Sequence, residues 1–180
     1  MSASYDVSPA IPSQELLDRN LAYAANHKPK LGQDHWRNIP KNAIITCMDC
    51  RLHPHKQLGL GDDDIVIIRN AGGGVRELLN TVLVAQRFGV RHFILIKHTD
   101  CGGFYNTKKD IIENFKAHAK NPDAIDDFGD RLADGFGGLG IDAVALRDVE
   151  LMRNSSVIYT DTVVSGWVFD DGTGKIRQVA

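Results

Sequence analysis

The chain has 180 residues, 43% apolar and 24% charged, with a formal net charge of −2. That length fits one domain with a sizeable core, expected over residues 1–180 with an N-terminal helical arm at about 12–28. A near-neutral balance excludes an electrostatic nucleic-acid binder, which would carry a basic excess or stripe. No apolar segment approaches the roughly 18 residues of a membrane span. The polar start lacks a basic n-region and an apolar h-region, so no secretory signal and a cytoplasmic location are expected.

In chain order, residues 12–25 read as a helix, with Ser13 as N-cap and Leu16, Leu17, Leu21 and Ala24 as an apolar stripe. Residues 27–41 are a polar connector. Three short apolar runs follow at 43–47, 65–68 and 92–96. They are nearly continuous in Ile, Val and Leu, as expected of parallel strands buried on both faces. Between the second and third, residues 75–88 have helical periodicity through Leu78, Leu79, Val82, Leu83 and Ala85, with Gly89 as the stop. Phe88, Phe93 and Leu95 read as core. Helices are expected near 108–119 and 143–152, with a Gly-rich loop between them at 126–140. Residues 162–170 alternate through Val164, Gly166 and Val168 and read as a strand. Asp171-Gly172 then turns the chain into a short final strand at 175–179. The fold class is α/β: a central, mostly parallel sheet of four or five strands flanked by helices.

Three cysteines, Cys47, Cys50 and Cys101, are too few and odd in number for a disulfide framework. In a reducing compartment they serve as metal ligands, catalytic groups or small buried hydrophobes. Cys47-Met48-Asp49-Cys50-Arg51 directly follows the first strand, and His98-Thr99-Asp100-Cys101-Gly102 directly follows the third. Ligands of open parallel sheets bind beyond the carboxyl ends of the strands, where strand order switches. If the first and third strands are neighbours, Cys47 converges on His98 and Cys101. Two thiolates and one imidazole suit zinc, and three protein donors leave one tetrahedral position for water. Zinc lowers the pKa of that water toward about 7. Asp49 and Arg51, two apart, can share one side of an extended segment. Their pairing would keep the carboxylate ionised and aimed at the water.

These runs, with Arg69-Asn70-Ala71-Gly72-Gly73 between them, resemble the β-class carbonic anhydrases, and the second run is similar to that of the smaller microbial members. The resemblance covers roughly residues 43–103, and the tail at 164–179 looks like the family's closing strands. It implies a zinc enzyme with one ion per chain, held by Cys47, His98 and Cys101 and activated by the Asp49–Arg51 dyad. It implies a homodimer or dimer of dimers, with the N-terminal helix embracing the partner. Ala71, Gly72 and Gly102 are expected to line the substrate pocket. Carbon dioxide is the leading substrate. Carbonyl sulfide or carbon disulfide is the alternative, because Cys50, Gly103 and the Gly-rich 135–140 stretch depart from the family's pattern near the expected entrance.

Other readings use the same residues differently. Cys47-x-x-Cys50 is the spacing of a redox dithiol, but it leaves His98 and Cys101 unexplained. All three cysteines with His98 would make a closed Cys3His structural zinc module binding a partner, with Asp49 and Arg51 idle. The glycine run at 72–74 lacks phosphate-loop features and reads as a tight, closely packed strand-to-helix turn. Asp62-Asp63-Asp64 reads as a solvated turn, and Phe104 and Tyr105 are placed to shape an apolar pocket. His53 and His55 read as ordinary surface histidines, and His92 and His118 as structural or solvated.

Overall fold

A computed structural model describes residues 13–29, 32, 38–132 and 135–180, with the side chains of 130 and 131 outside the description. The chain divides into two units, Met1–Arg37 and Asn38–Ala180. The first contributes helix α1, Gln14–Ala24, capped by Ser13, whose hydroxyl accepts from the Leu16 N–H. Position 12 of the expected helix, and most of the connector at 30–37, lie outside the described residues.

The second unit is built on a five-stranded sheet in the order β2-β1-β3-β4-β5. Its strands are β1 Asn42–Cys47, β2 Val66–Asn70, β3 His92–His98, β4 Val163–Phe169 and β5 Ile176–Gln178. The first four pair in parallel, and β5 returns antiparallel to β4. Strand β1 is buried over Ala43–Cys47 and divides its side chains by period two. Ala43 and Ile45 join Phe93 and Leu95 in one core, covered by Val82 and Leu78 and by Val149 and Met152. Ile44 joins Ile96 on the other side, covered by Leu52, Phe136 and Val144. Burial of each such side chain contributes about 1.5–3 kcal/mol.

The helices are α2 Pro54–Leu58, α3 Leu79–Arg87, α4 Lys108–His118 and α5 Ile141–Arg153. The helix expected over 75–88 begins as a 3-10 turn, Arg76–Leu78. No side chain caps this end, and the Leu78 N–H donates to the Val75 carbonyl at 2.9 Å, which tightens the first turn. Its other end closes as expected on Gly89, at φ 109°. The Val90 N–H reaches Ala85 O at 3.1 Å and the Gly89 N–H reaches Gln86 O at 3.0 Å, a Schellman pair.

Two expectations fail here for physical reasons. Phe88 stands at the helix end and is 43% exposed, whereas Phe93 and Leu95 are fully buried. Strand β4 does not alternate: Val164, Ser165, Gly166, Val168 and Phe169 are all buried, because β4 lies inside the sheet between β3 and β5. A Cβ at Gly166 would lie 2.8 Å from Val149 of α5, so glycine there permits the helix to approach.

Candidate metal centre

β1 and β3 are hydrogen-bonded neighbours, with Thr46 opposite Ile96, so their carboxyl ends open at the same point. Cys47 ends β1, His98 ends β3, and Cys101 follows on the turn beyond. The donor atoms of these three buried residues lie within 4.8 Å of one another, and the two sulfurs are 3.8 Å apart. Among the described residues no other group of three His, Cys, Asp or Glu side chains meets in this way.

The histidine is aimed by a residue that sequence reasoning passed over. Asp171, in the turn between β4 and β5, accepts from His98 Nδ1 at 2.9 Å and from the Asp100 N–H at 2.9 Å. Burial pushes the Asp171 carboxyl up, but the Asp100 N–H and His98 outweigh it and hold it below the ordinary carboxylate range. An ionised Asp171 fixes the ring proton on Nδ1 and leaves the Nε2 lone pair free. Nε2 is buried without a hydrogen-bond partner. A buried polar atom in that state fits a metal ligand.

The sulfurs sit among donors suited to thiolates. The Cys101 thiol donates to Cys47 and holds that thiol down to about 4 against the opposing effect of burial. The backbone N–H groups of Asp49 and Gly72 add to this lowering. The same contact pushes Cys101 up, while the Gly103 N–H reaches its sulfur at 3.5 Å. A soft S2N donor set of this kind suits a divalent ion such as zinc.

Asp49 and Arg51 do pair, but not across an extended segment. Residues 49–52 form a tight turn in which the Leu52 N–H donates to Asp49 O, and the Arg51 N–H and Nε both donate to Asp49 Oδ1. Nη2 reaches Asp49 Oδ2 at 2.7 Å. These bonds hold the Asp49 carboxyl far below the usual carboxylate range. The guanidinium also donates to the side chain and carbonyl of Asp100, each at 2.7 Å, tying the two motif loops together. Arg69 ties the first loop from the other side, through the carbonyls of Cys47 and Asp49.

The glycine run after β2 is the close-packed turn expected of it. Gly72 and Gly73 have φ near 65°, and a Cβ at Gly73 would lie 2.9 Å from the Thr46 carbonyl carbon. Lys97, fully buried, holds this turn by donating to the carbonyls of Gly72 (3.2 Å) and Gly73 (2.6 Å). It also pairs with the buried Asp148 of α5. Burial pulls Lys97 below the usual lysine range, with Asp148 opposing. A lone lysine in an apolar strand gave no sequence signal of this role.

A cleft of about 740 Å³ opens onto Cys47, Asp49 and Cys101, and its lining includes Ala71, Gly72 and Gly102. Phe104 and Tyr105 do not line it; both are exposed, and Phe136 forms the aromatic wall instead. Cys50 is exposed and outside the donor cluster, so the closed Cys3His arrangement is not formed and Cys47 has no dithiol partner at position 50. The aspartates at 62–64 form a turn, with Asp64 accepting from the Gly61 N–H. His92 binds Ser165 within the sheet, and His118 binds Asn114 O on its own helix.

A mostly parallel sheet that gathers two thiols and one imidazole at its carboxyl edge makes a site that could hold a metal ion, and the comparisons place the chain among enzymes. The family model described as carbonic anhydrase matches residues 42–132. The chain belongs to the β-carbonic anhydrase family and is an enzyme of that kind. It is 31% identical over 153 residues to a carbon disulfide hydrolase of Saccharolobus solfataricus, covering 75% of each chain. It is 29% identical over 178 residues to β-carbonic anhydrase 1 of Mycobacterium tuberculosis, covering 93% of this chain and 97% of that one. The solved carbonic anhydrase of Streptococcus mutans matches with a TM-score of 0.74 at 29% identity, over 92% of this chain and 96% of that chain. No helix among the described residues is long and apolar enough to cross a membrane.

Proposed function

We propose that this chain is a zinc enzyme, with one ion per chain, that adds water to the carbon of carbon dioxide to give bicarbonate. The convergence of Cys47, His98 and Cys101, with His98 Nε2 buried and unpaired, is the observation that carries the reading. These three would hold the ion and leave its fourth tetrahedral position to solvent. When bound, the ion would supply Lewis acidity and an acidic water near neutral pH. Asp49, ionised and fixed by Arg51, accepts a hydrogen bond from the attacking water and turns its lone pair toward the substrate carbon. Arg51 also keeps Asp49 from swinging into the donor cluster. Ala71, Gly72 and Gly102 give the substrate a close wall of small residues. Asp171 keeps His98 in the tautomer that offers Nε2.

A second reading, hydrolysis of carbonyl sulfide or carbon disulfide, is favoured by the Phe136 ring closing the inner end of the cleft beside Gly103. In carbonyl sulfide the water oxygen bonds to carbon, the C–S bond breaks, and sulfur leaves with the water protons as hydrogen sulfide beside carbon dioxide. The chain is further read as a single domain working in the cytoplasm as a homodimer or dimer of dimers, with α1 and its leucine face as the arm.

The test compares zinc-loaded wild type with Asp49→Ala, using carbon dioxide and carbonyl sulfide side by side. Wild type should hydrate carbon dioxide, and D49A should keep one zinc per chain while losing about 10²-fold or more in rate. Carbon dioxide turnover far below that of carbonyl sulfide moves the function to the second reading. Inactivity of the zinc-loaded wild type toward both refutes both.

A further inference from the structure

The cleft is far larger than a triatomic molecule: at about 30 Å³ per water it would hold some two dozen waters. Discrimination between such substrates therefore rests on what touches them beside the sulfur donors Cys47 and Cys101. There, one ring from a distant segment lies across two glycines. A Cβ at Gly103 would lie 2.7 Å from Cζ and 2.8 Å from Cε1 of Phe136, and one at Gly72 would lie 3.1 Å from the same Cε1. The ring is 5% exposed and packs in one apolar cluster with Cys47 and Cys101. Phe104 meets it edge-on with centroids 4.8 Å apart.

The segment is seated by its backbone. The Phe136 N–H donates to Gly103 O at 3.0 Å. Gly135, at φ 55°, approaches so closely that a Cβ there would lie 2.3 Å from Asn106 O and 2.7 Å from Gly103 O. Three positions without side chains, Gly72, Gly103 and Gly135, thus form the seat of one ring.

We propose that Phe136 is the specificity-determining residue of this site, raising its efficiency toward a sulfur-bearing substrate relative to carbon dioxide. This rests on the reading of the cleft as a site of water addition to a linear triatomic molecule. The ring offers a polarisable apolar surface, which sulfur contacts more favourably than oxygen does. It offers no hydrogen-bond donor to the oxygens of bicarbonate, and it excludes water from the side of the cleft that such an anion would need wet. Hydrogen sulfide and carbon dioxide, both uncharged, leave such a wall without that cost.

The experiment measures kcat/KM for carbon dioxide and for carbonyl sulfide, with zinc content, in holoenzyme of wild type, Phe136→Ala, Phe136→Met and Gly103→Ala. The ratio of carbonyl sulfide to carbon dioxide efficiency should fall about three- to tenfold in F136A. It should fall similarly in G103A, whose new methyl displaces the ring while leaving it in the chain. F136M, apolar and polarisable, should restore most of it. Zinc should stay at one per chain throughout. If F136A does not fold, G103A and F136M carry the test. An unchanged ratio in the folded variants, or equal loss with both substrates, overturns the proposal while the enzyme reading stands. Wild type without carbonyl sulfide turnover also overturns it. Wild type inactive with both overturns the function itself.

Discussion

Replacing Lys97 by Met tests the claim that one buried cation holds the glycine turn against the sheet. Lys97 and Asp148 have side chains only 1% and 5% exposed, with Nζ and Oδ2 2.5 Å apart. The methionine keeps the apolar stem and removes the charge, leaving the Asp148 carboxylate buried without its cation. Breaking a buried pair in this way costs about 3–5 kcal/mol. The carbonyls of Gly72 and Gly73 lose a donor at the same time, adding about 1 kcal/mol or more. Arg147 touches only the other carboxylate oxygen, at 3.2 Å, from a half-exposed position, and does not replace Lys97. The sum, about 4–6 kcal/mol, is a large part of the 5–15 kcal/mol typical of a whole domain. With a urea slope of about 2 kcal/mol/M, the unfolding midpoint should fall by about 2–3 M. The K97M/D148L double variant carries no orphaned charge and should recover at least about 2 kcal/mol of that loss. The assay is urea unfolding followed by circular dichroism at one fixed protein concentration, because assembly shifts the midpoint. A single variant within about 1 kcal/mol of wild type, or a double variant as unstable as the single, refutes the reasoning.

Two further outcomes follow from the site. Asp171→Asn should weaken zinc binding about 10- to 100-fold in competition with a chelator, because the His98 ring loses its orienting acceptor. Asp171 titrates below its unfolded value of about 3.9, so its stabilising contribution is complete above that value and is lost as pH falls through the lower folded value. The melting-temperature advantage of wild type over D171N should shrink as pH falls below about 4; an advantage that keeps growing through that range would contradict the assignment. Cys50→Ser should leave zinc content and both turnover rates unchanged, since its side chain is exposed and outside the cluster; loss of metal would revive the closed structural site.

Much of this arrangement was legible along the chain because it is local. Unbroken Ile and Val runs announce parallel strands, buried in β1 and most of β3 but only half-buried in β2, which lies at the sheet edge; each motif run sits directly after a buried one, so Cys47, His98 and Cys101 were identifiable before their meeting was seen. Ser13 and Gly89 mark helix ends through the backbone groups they satisfy or release. Hydrophobic pattern misjudged Phe88 and β4, because burial depends on what lies above a residue and not on its own polarity.

The sequence by itself determined the donor types, their placement at strand ends and the dyad that flanks them, since two-residue and three-residue spacings survive any arrangement of the remainder. Only the tertiary structure decided which partners complete them. Asp171 reaches His98 across 73 residues, Lys97 finds Asp148 across 51, and Phe136 fits over Gly72 and Gly103 from a separate loop. No periodicity encodes such pairs: they are chosen by strand order and by shape complementarity, and both exist only once the chain has closed on itself.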